Sequence, residues 1–401
     1  MNATTKTQFV GDASRLKSRV NILKRLRPEF YEKEVEKIFR RGWLPVASLT
    51  DVPETNSYAV VDVPTLKTSL ILTRGEDDKI RAFHNICRHR GNRLVPPGKG
   101  CKRAFSCGFH GWAFANDGRL ISVTDRTQFD DLDEGELGLL KVHAEAWEDF
   151  VFVNFDPAPR ESLREWLGKM YDEYTGYFSD REKIASYRIQ VESNWNVTIN
   201  SFSEGYHSLY VHRKTVPDYQ GGKDNPQRHR AYLELMKRNA RYTAQGNPNR
   251  KETPVEAIAY GHGRKMYPAF PRYMPSDNTV PPGVNASRNE NWSFDVLEMF
   301  PHVIVLIGAH WHANMWFWPV DAGRTDIRVD FLAYKAETVG DHFAHAYFRA
   351  RLREVFREDI GTMEAIGAML RSGAMSDIML SRQELLIQQH YAAADEMIQQ
   401  P

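Results

Sequence analysis

Cys87-Arg88-His89-Arg90-Gly91 and, further on, Cys107-Gly108-Phe109-His110-Gly111-Trp112 decide how this chain is read. Each segment offers one cysteine and one histidine beside a glycine, so two short loops supply two sulfurs and two imidazoles. The third cysteine, Cys101, falls outside the pattern and reads as a bystander thiol. Three clustered cysteines are too few for a disulfide framework, and a metal or redox role suits two of them better.

On either side of these loops the sequence is β-rich. Runs at 58–63, 68–73 and 150–155 alternate with turn residues and predict a small antiparallel β domain over 42–157. Upstream, Phe30, Val35, Ile38 and Phe39 stand among charges after Pro28, which predicts an amphipathic helix over 23–41. Residues 1–41 are therefore expected to be a helical segment packing on a larger domain. The join Asp156-Pro157-Ala158-Pro159 ends the β domain, and a larger domain over 158–401 opens with helical character at 161–177. A long Pro-, Gly- and Asn-rich stretch at 218–292 contains one predicted helix, 227–244, and reads as a lid or binding loop. Strands are expected at 292–300, 302–307, 311–318 and 326–334, followed by a helix over 338–371.

The overall balance excludes several function classes. Lys plus Arg number 53 against 52 Asp plus Glu, a net charge of +1 that points neither to nucleic acid nor to an anionic membrane surface. No apolar run approaches the roughly 20 residues of a spanning helix, and residues 1–20 lack an apolar secretory core. A cytoplasmic location is the expectation.

A second cluster of ligand-type side chains lies at Glu204, His207 and His212, within the run 200–212. Glu204 and His207 are three apart and would share a helical face, whereas His207 and His212, five apart, diverge by about 140° on a regular helix. The helix is therefore expected to end or distort between Ser208 and His212, with Pro217 marking where it has stopped. Far downstream, Leu352, Phe356, Met363, Ile366 and Leu370 step by threes and fours, and Asp359 stands in their gap. An aspartate on a core face is expensive unless paired, and a cation would account for it. A buried aspartate bonded to backbone amides or to an arginine is the other reading; with a cation, His207, His212 and Asp359 would compose a two-histidine, one-carboxylate triad of the kind that holds Fe(II) with positions open for oxygen.

For the first constellation, tetrahedral zinc is one use of two Cys and two His. A Rieske 2Fe-2S centre is the other, with two thiolates on one iron and two imidazoles on its partner. One Cys and one His per loop, as C-x-H and then C-x2-H, is the Rieske order. The chain resembles the Rieske non-haem iron oxygenases, terminal oxygenase α subunits, from about residue 41 to 367. The resemblance is carried by Cys87-Arg88-His89, Gly91, His110-Gly111-Trp112, Asn194-Trp195, the acid-x2-His-x4-His motif, Phe300-Pro301 and the late Asp359 with Glu364 five residues on. Gly108-Phe109 stands where Pro-Tyr is commoner, and Asn200-Ser201 where Glu-Asn is often seen. Glu204 occupies a position that is aspartate in most relatives, and glutamate in a subset that includes oxygenases of quaternary amines.

The resemblance implies an α+β chain: a small antiparallel β Rieske domain, then a larger catalytic domain of antiparallel sheet with helices, of helix-grip type. It implies one Rieske 2Fe-2S cluster on Cys87, His89, Cys107 and His110, and one mononuclear Fe(II) on His207, His212 and Asp359. It implies electrons from NAD(P)H through a flavin reductase, with or without a ferredoxin, and a head-to-tail homotrimer, with or without a β subunit. Glu204 would bridge His207 to His110 of a neighbouring subunit. The implied reaction is O2-dependent hydroxylation or oxidative demethylation of a small organic substrate, the alternative being cis-dihydroxylation of an aromatic compound. A Rieske electron carrier is the reading outside enzymes, and the second iron site argues against it. Phe202, Tyr206, Leu306 and Trp316 are candidates to line the substrate pocket. Trp311, Trp316 and Trp318 suit a packed sheet face equally well.

Overall fold

The computed structural model of the chain describes residues 8–179, 181–216, 231–264, 266 and 280–400. Pro217 and much of the long 218–292 stretch lie outside the described residues. The fold is α+β and divides into two compact units, residues 35–166 and residues 1–34 with 167–401. Among the described residues no helix is long and apolar enough to cross a membrane.

In the smaller unit a seven-stranded antiparallel sheet runs in the order Leu44–Ser48, Phe150–Asn154, Lys141–Trp147, Ile80–His84, Thr68–Arg74, Ser57–Val63, Lys99–Cys101. A three-stranded sheet, Leu120–Ser122, Ala113–Ala115, Ala104–Ser106, carries the second of the two ligand loops at one end. Phe83, Phe105, Trp112 and Phe114 form a buried cluster with Cys87 and Cys107. This unit begins at Val35, inside the segment assigned by sequence to the larger domain. Ile38 and Phe39 are fully buried, and their turn packs against Pro64–Leu66.

The larger unit is built on an eight-stranded sheet in the order Gln8–Val10, Ala231–Leu235, Ala240–Gln245, Trp292–Met299, Val303–Ile307, Trp311–Asp321, Arg324–Tyr334, Arg181–Val191. The first pair is parallel and the others are antiparallel. The helix Val339–Leu370 begins at a Thr338–Asp341 capping box. It lays its apolar face on this sheet, with Phe348 at 4.8 Å from the Trp311 ring and Phe356 stacked on Phe331 at 5.6 Å. Ile366 is 39% exposed and turns away from that face, where Gly367 is buried instead.

Three local expectations are corrected. Of the predicted helix 227–244, residues 227–230 lie outside the described residues and the rest falls in two antiparallel strands, Ala231–Leu235 and Ala240–Gln245, whose register pairs Leu233 with Tyr242. Leu-Glu-Leu-Met favours helix locally, but a place between two partner strands pairs its backbone on both sides and buries Leu233, and tertiary pairing overrides propensity. The 161–177 helix is split into Leu163–Leu167 and Met170–Glu173 by Gly168, whose φ of 61° ends a helix. The 23–41 segment is a 3-10 turn Leu23–Leu26, an α-helix Pro28–Glu34 and a π turn Val35–Phe39, and the residues before it include the short strands Gln8–Val10 and Arg19–Asn21.

Glu34, fully buried, accepts from Trp195 Nε1 and Asn196 Nδ2, each at 2.9 Å, and lies 3.7 Å from the buried Arg25. Arg25 also donates to Asp395 at 2.6 Å. Glu34→Ala would leave two donors and part of a buried guanidinium uncompensated. A loss of about 3–5 kcal/mol in urea unfolding is expected, the range for breaking a buried ion pair; a loss under about 1 kcal/mol would mean that the network contributes nothing net.

Candidate metal centres and substrate cavity

The two ligand loops of the smaller unit are built alike. Cys87 N donates to Asn92 O and Cys107 N to Trp112 O, both at 2.8 Å, while Gly91 N and Gly111 N return to the oxygens of Cys87 and Cys107 at 3.0 Å. Gly91 and Gly111 have φ of 78° and 75°, the left-handed conformation that closes each turn and that side chains rarely adopt. The loops bring the Cys87 and Cys107 side chains into contact and place the His89 and His110 rings 4.7 Å apart. Trp112 stacks on His89 at 4.9 Å, and Thr124 Oγ1 donates to His110 O at 2.6 Å. Burial pushes the Cys87 thiol up. At Cys107 burial is outweighed by the amides of Phe109 and Asn92, the latter 3.6 Å from Sγ, which hold the thiol below its ordinary value. Paired sulfurs beside paired imidazoles on matching loops suit a 2Fe-2S cluster. Cys101 is exposed on a separate strand.

In the larger unit the helix Trp195–Asn200 ends well before the histidines, and residues 201–207 form turns leading to a single helical turn, Ser208–Val211. The expectation that Glu204 and His207 share a helical face is therefore corrected. The Glu204 carboxylate folds back on its own turn instead, accepting from the amides of Tyr206 and His207 and from His207 Nδ1. The single helical turn ends at His212, whose φ of −94° and ψ of 17° leave the helix, so the two imidazoles converge.

His207 Nε2 and His212 Nε2 lie 3.2 Å apart, and Asp359 Oδ1 is 3.4 Å from the first and 3.2 Å from the second. An octahedral ion with bonds of about 2.1 Å needs ligand edges of about 3.0 Å. The triangle fits one face of such a site. Both histidines face it with Nε2 because carboxylates hold both Nδ1 atoms, Glu204 at His207 and Glu358 at His212 at 3.0 Å. That arrangement, with a carboxylate behind each imidazole, fixes tautomer and ring orientation and is the one common behind metal-ligating histidines. Glu358 also accepts from Thr215 Oγ1 at 2.6 Å. The sequence reading missed it, although it is an acid adjacent to a ligand; Glu364, which that reading noted, is exposed.

A cavity opens over the triad, lined by Phe202, Tyr242, Phe294, Val296, Leu306, Trp311, Phe348, Arg351, Leu352 and Phe356, with Glu204, His207, His212 and Asp359 at its floor. Of the four pocket candidates Phe202 and Leu306 line it, and Tyr206 and Trp316 do not. Tyr206 is 49% exposed. Trp316 is buried on the opposite face of the sheet, opposite Val303 and beneath the Arg328 guanidinium at 4.7 Å. Strand parity explains both the miss and the omission: Trp311, Ala313 and Phe317 share the cavity face with Leu306, and Trp316 is out of phase with them.

Residues 178–400 match the family model for the ring-hydroxylating alpha subunit catalytic domain, and residues 42–138 match the Rieske [2Fe-2S] domain. The chain belongs to the ring-hydroxylating alpha subunit family. Proteins of this family hold a Rieske 2Fe-2S cluster and a mononuclear iron, and the two donor sets above suit these groups. Choline monooxygenase of Spinacia oleracea is 32% identical over 193 residues, 46% of this chain and 43% of that protein. The matched segment thus spans less than half of that relative. A quaternary ammonium Rieske monooxygenase structure superposes with a TM-score of 0.75 at 19% identity, covering 98% of this chain and 100% of the other. A naphthalene 1,2-dioxygenase from Rhodococcus sp. does so with 0.74 at 17%, covering 96% and 95%. At these identities the likeness is one of fold.

Burial works against a charged His207, but the bond and charge of Glu204, followed by the charge of Asp359, raise its pKa to about 9 in the metal-free alpha subunit. Metal-free His207 is therefore protonated at neutral pH, and a cation must displace that proton. Apparent affinity for Co(II) or Fe(II) is expected to rise with pH up to about 9, by about tenfold per pH unit for each proton released. Competition titrations across that range check it, and a flat profile would show His207 already neutral.

Proposed function

We propose that this chain is the terminal oxygenase of a Rieske system, with the cluster on Cys87, His89, Cys107 and His110 and the iron on His207, His212 and Asp359. It uses O2 and electrons from NAD(P)H, delivered by a flavin reductase with or without a ferredoxin, to hydroxylate or oxidatively demethylate a small organic substrate. The observation that carries the reading is the open triad at the floor of an apolar cavity, in a chain that also holds the two Cys-and-His loops. When bound, the cluster supplies single electrons and Fe(II) supplies a site for O2.

The residues of the chain do the rest. Glu204 and Glu358 hold the Nδ1 protons of His207 and His212 and keep both Nε2 lone pairs aimed at one point. The aromatic walls of the cavity exclude water and fix the substrate by contact. Glu204 has a second task in this reading. In a closed head-to-tail homotrimer, a heterologous ring, its carboxylate reaches His110 of the partner subunit and links one subunit's cluster to the next subunit's iron. Three of its roughly four acceptor positions are taken by the Tyr206 amide and by the amide and Nδ1 of His207, which leaves one for that contact. A second reading, cis-dihydroxylation of an aromatic compound, is favoured by the rings of Phe202, Phe294, Trp311, Phe348 and Phe356 around the cavity.

Substrate-dependent O2 uptake with a reductase, followed by product analysis over a substrate panel, tests the function and separates the two reactions. No substrate-stimulated uptake by protein loaded with both iron groups would sink it. For Glu204→Gln, iron content and the reduced-cluster EPR signal are expected to be unchanged while stopped-flow turnover falls by about 100-fold or more, the scale of losing a ligand-supporting carboxylate. Turnover equal to that of the parent protein would remove Glu204 from the electron path.

A further inference from the structure

Glu298 is a buried carboxylate outside both the metal triangle and the cavity lining. It stands on the strand Trp292–Met299, 1% exposed, on the same sheet face as the cavity residues Phe294 and Val296. A carboxylate at that depth is unfavourable unless donors meet it. Two do, from segments far apart in the chain. His390 Nδ1 lies 2.7 Å from Oε1, and the Ser203 hydroxyl is 3.1 Å from Oε2.

His390 belongs to the helix Leu385–Gln399 and is fully buried, its ring centre 5.1 Å from that of Trp195 and 5.6 Å from that of Phe300. Its neighbour Tyr391 accepts from Asn200 Nδ2. Two consecutive residues of that helix thus reach the stretch 200–203 at its two ends, Tyr391 directly and His390 through Glu298. Ser203 is buried and stands directly before Glu204. Its hydroxyl has one proton to donate and a second acceptor in reach, Ile199 O at 3.3 Å, and the carboxylate oxygen is the nearer.

Downstream of Ser203 the turn is bonded to itself, because the Glu204 carboxylate accepts from the amides of Tyr206 and His207 and from His207 Nδ1. Residues 204–207 form a small closed unit, and Ser203 joins it to the sheet. Phe202 packs the same turn against Phe317 and Phe356, and the Ser203 bond adds a fixed length and direction to that packing. His212 is braced from elsewhere, by Glu358 with Thr215 behind it. His207 is therefore the member of the triangle whose place depends on this turn.

We propose that the Ser203–Glu298 contact, backed by His390, positions His207: it sets the distance from the Glu204–His207 turn to Asp359 and so how tightly the triangle closes on a cation. The proposal rests on reading His207, His212 and Asp359 as the metal centre. Ser203 and Glu298 are positioning residues, since neither lines the cavity or faces the ion.

The test uses the full chain with its cluster in place and oxidised and the mononuclear site emptied by a chelator. Co(II) affinity is measured by chelator competition, and the EPR signal of the bound high-spin ion reports its ligand geometry. Ser203→Ala removes the hydroxyl and leaves the Glu298–His390 pair. Co(II) is expected to bind about tenfold more weakly, the lower end of what losing support behind a ligand does, with a shifted EPR signal. Glu298→Leu with His390→Phe removes both buried partners together and leaves an apolar site, and the same loss is expected. Adding Ser203→Ala to that pair should weaken binding no further, because all three changes delete one contact. Ser203→Ala alone decides the matter if the larger replacement fails to fold. A merely structural role would lower the urea midpoint of the metal-free protein and leave the affinity and EPR signal of the folded protein as in the parent. Parent affinity and signal in Ser203→Ala, or losses that add in the combined variant, overturn the proposal and leave the metal-centre reading intact. No Co(II) binding by the parent protein, or binding unchanged in Asp359→Ala, overturns that reading and the proposal with it.

Discussion

A single buried negative charge sets the terms for the larger unit. Asp359 sits among Leu352, Phe356 and Met363 on the inner face of a 32-residue helix, and a carboxylate there is costly to desolvate unless something positive meets it. What meets it is a pair of imidazoles, each with Nε2 within 3.4 Å of one carboxylate oxygen. The helix can hold that charge in place because it is clamped to the sheet by aromatic contacts one and three turns before it. Phe356 stacks on Phe331, and Phe348 packs on Trp311. Phe202 is wedged between Phe317 and Phe356, which fixes the turn that carries the two histidines to the same frame. The rigidity of the metal triangle is thus borrowed from ring packing.

The two candidate iron sites are made in contrasting ways. The cluster loops are local: each cysteine, its following glycine and the residue after it close one hydrogen-bonded turn, and the same turn is used twice. All that the rest of the smaller unit must do is bring two copies together, one following the strand Ile80–His84 and the other joining Ala104–Ser106 to Ala113–Ala115. The mononuclear site is long-range. His207 and His212 are supported by carboxylates of unlike origin, Glu204 from the same turn and Glu358 from a helix some 150 residues later. On the long helix the wall residues Arg351 and Phe348 stand eight and eleven residues before Asp359, more than two helical turns from it.

Much of this was legible from residue types and spacing. Cysteines and histidines alternating in two loops have few chemical uses, and an aspartate interrupting an apolar helical stripe calls for a partner, a cation among the choices, wherever the helix packs. The strands 292–299, 303–307 and 311–321, and the 339–370 helix with its capping box, announce themselves because their periodicity is strong and locally complete. Where local preference and the fold disagreed, the fold won. Residues 231–245 favour helix in isolation and are strands because partners on both sides complete their ladder.

The sequence by itself determined the candidate donors, the order of the two units and the family, since these depend on side-chain chemistry and on spacing within single elements. Only the tertiary structure decided which donors and walls converge. Strand register chose the cavity face, admitting Trp311 and turning Trp316 to the other side. Helix rotation brought Glu358 to His212 while leaving Glu364 in solvent, and the capping box at Thr253 delivered Glu256 to Arg351. These choices rest on contacts between residues far apart in the chain, whose energies no local pattern carries.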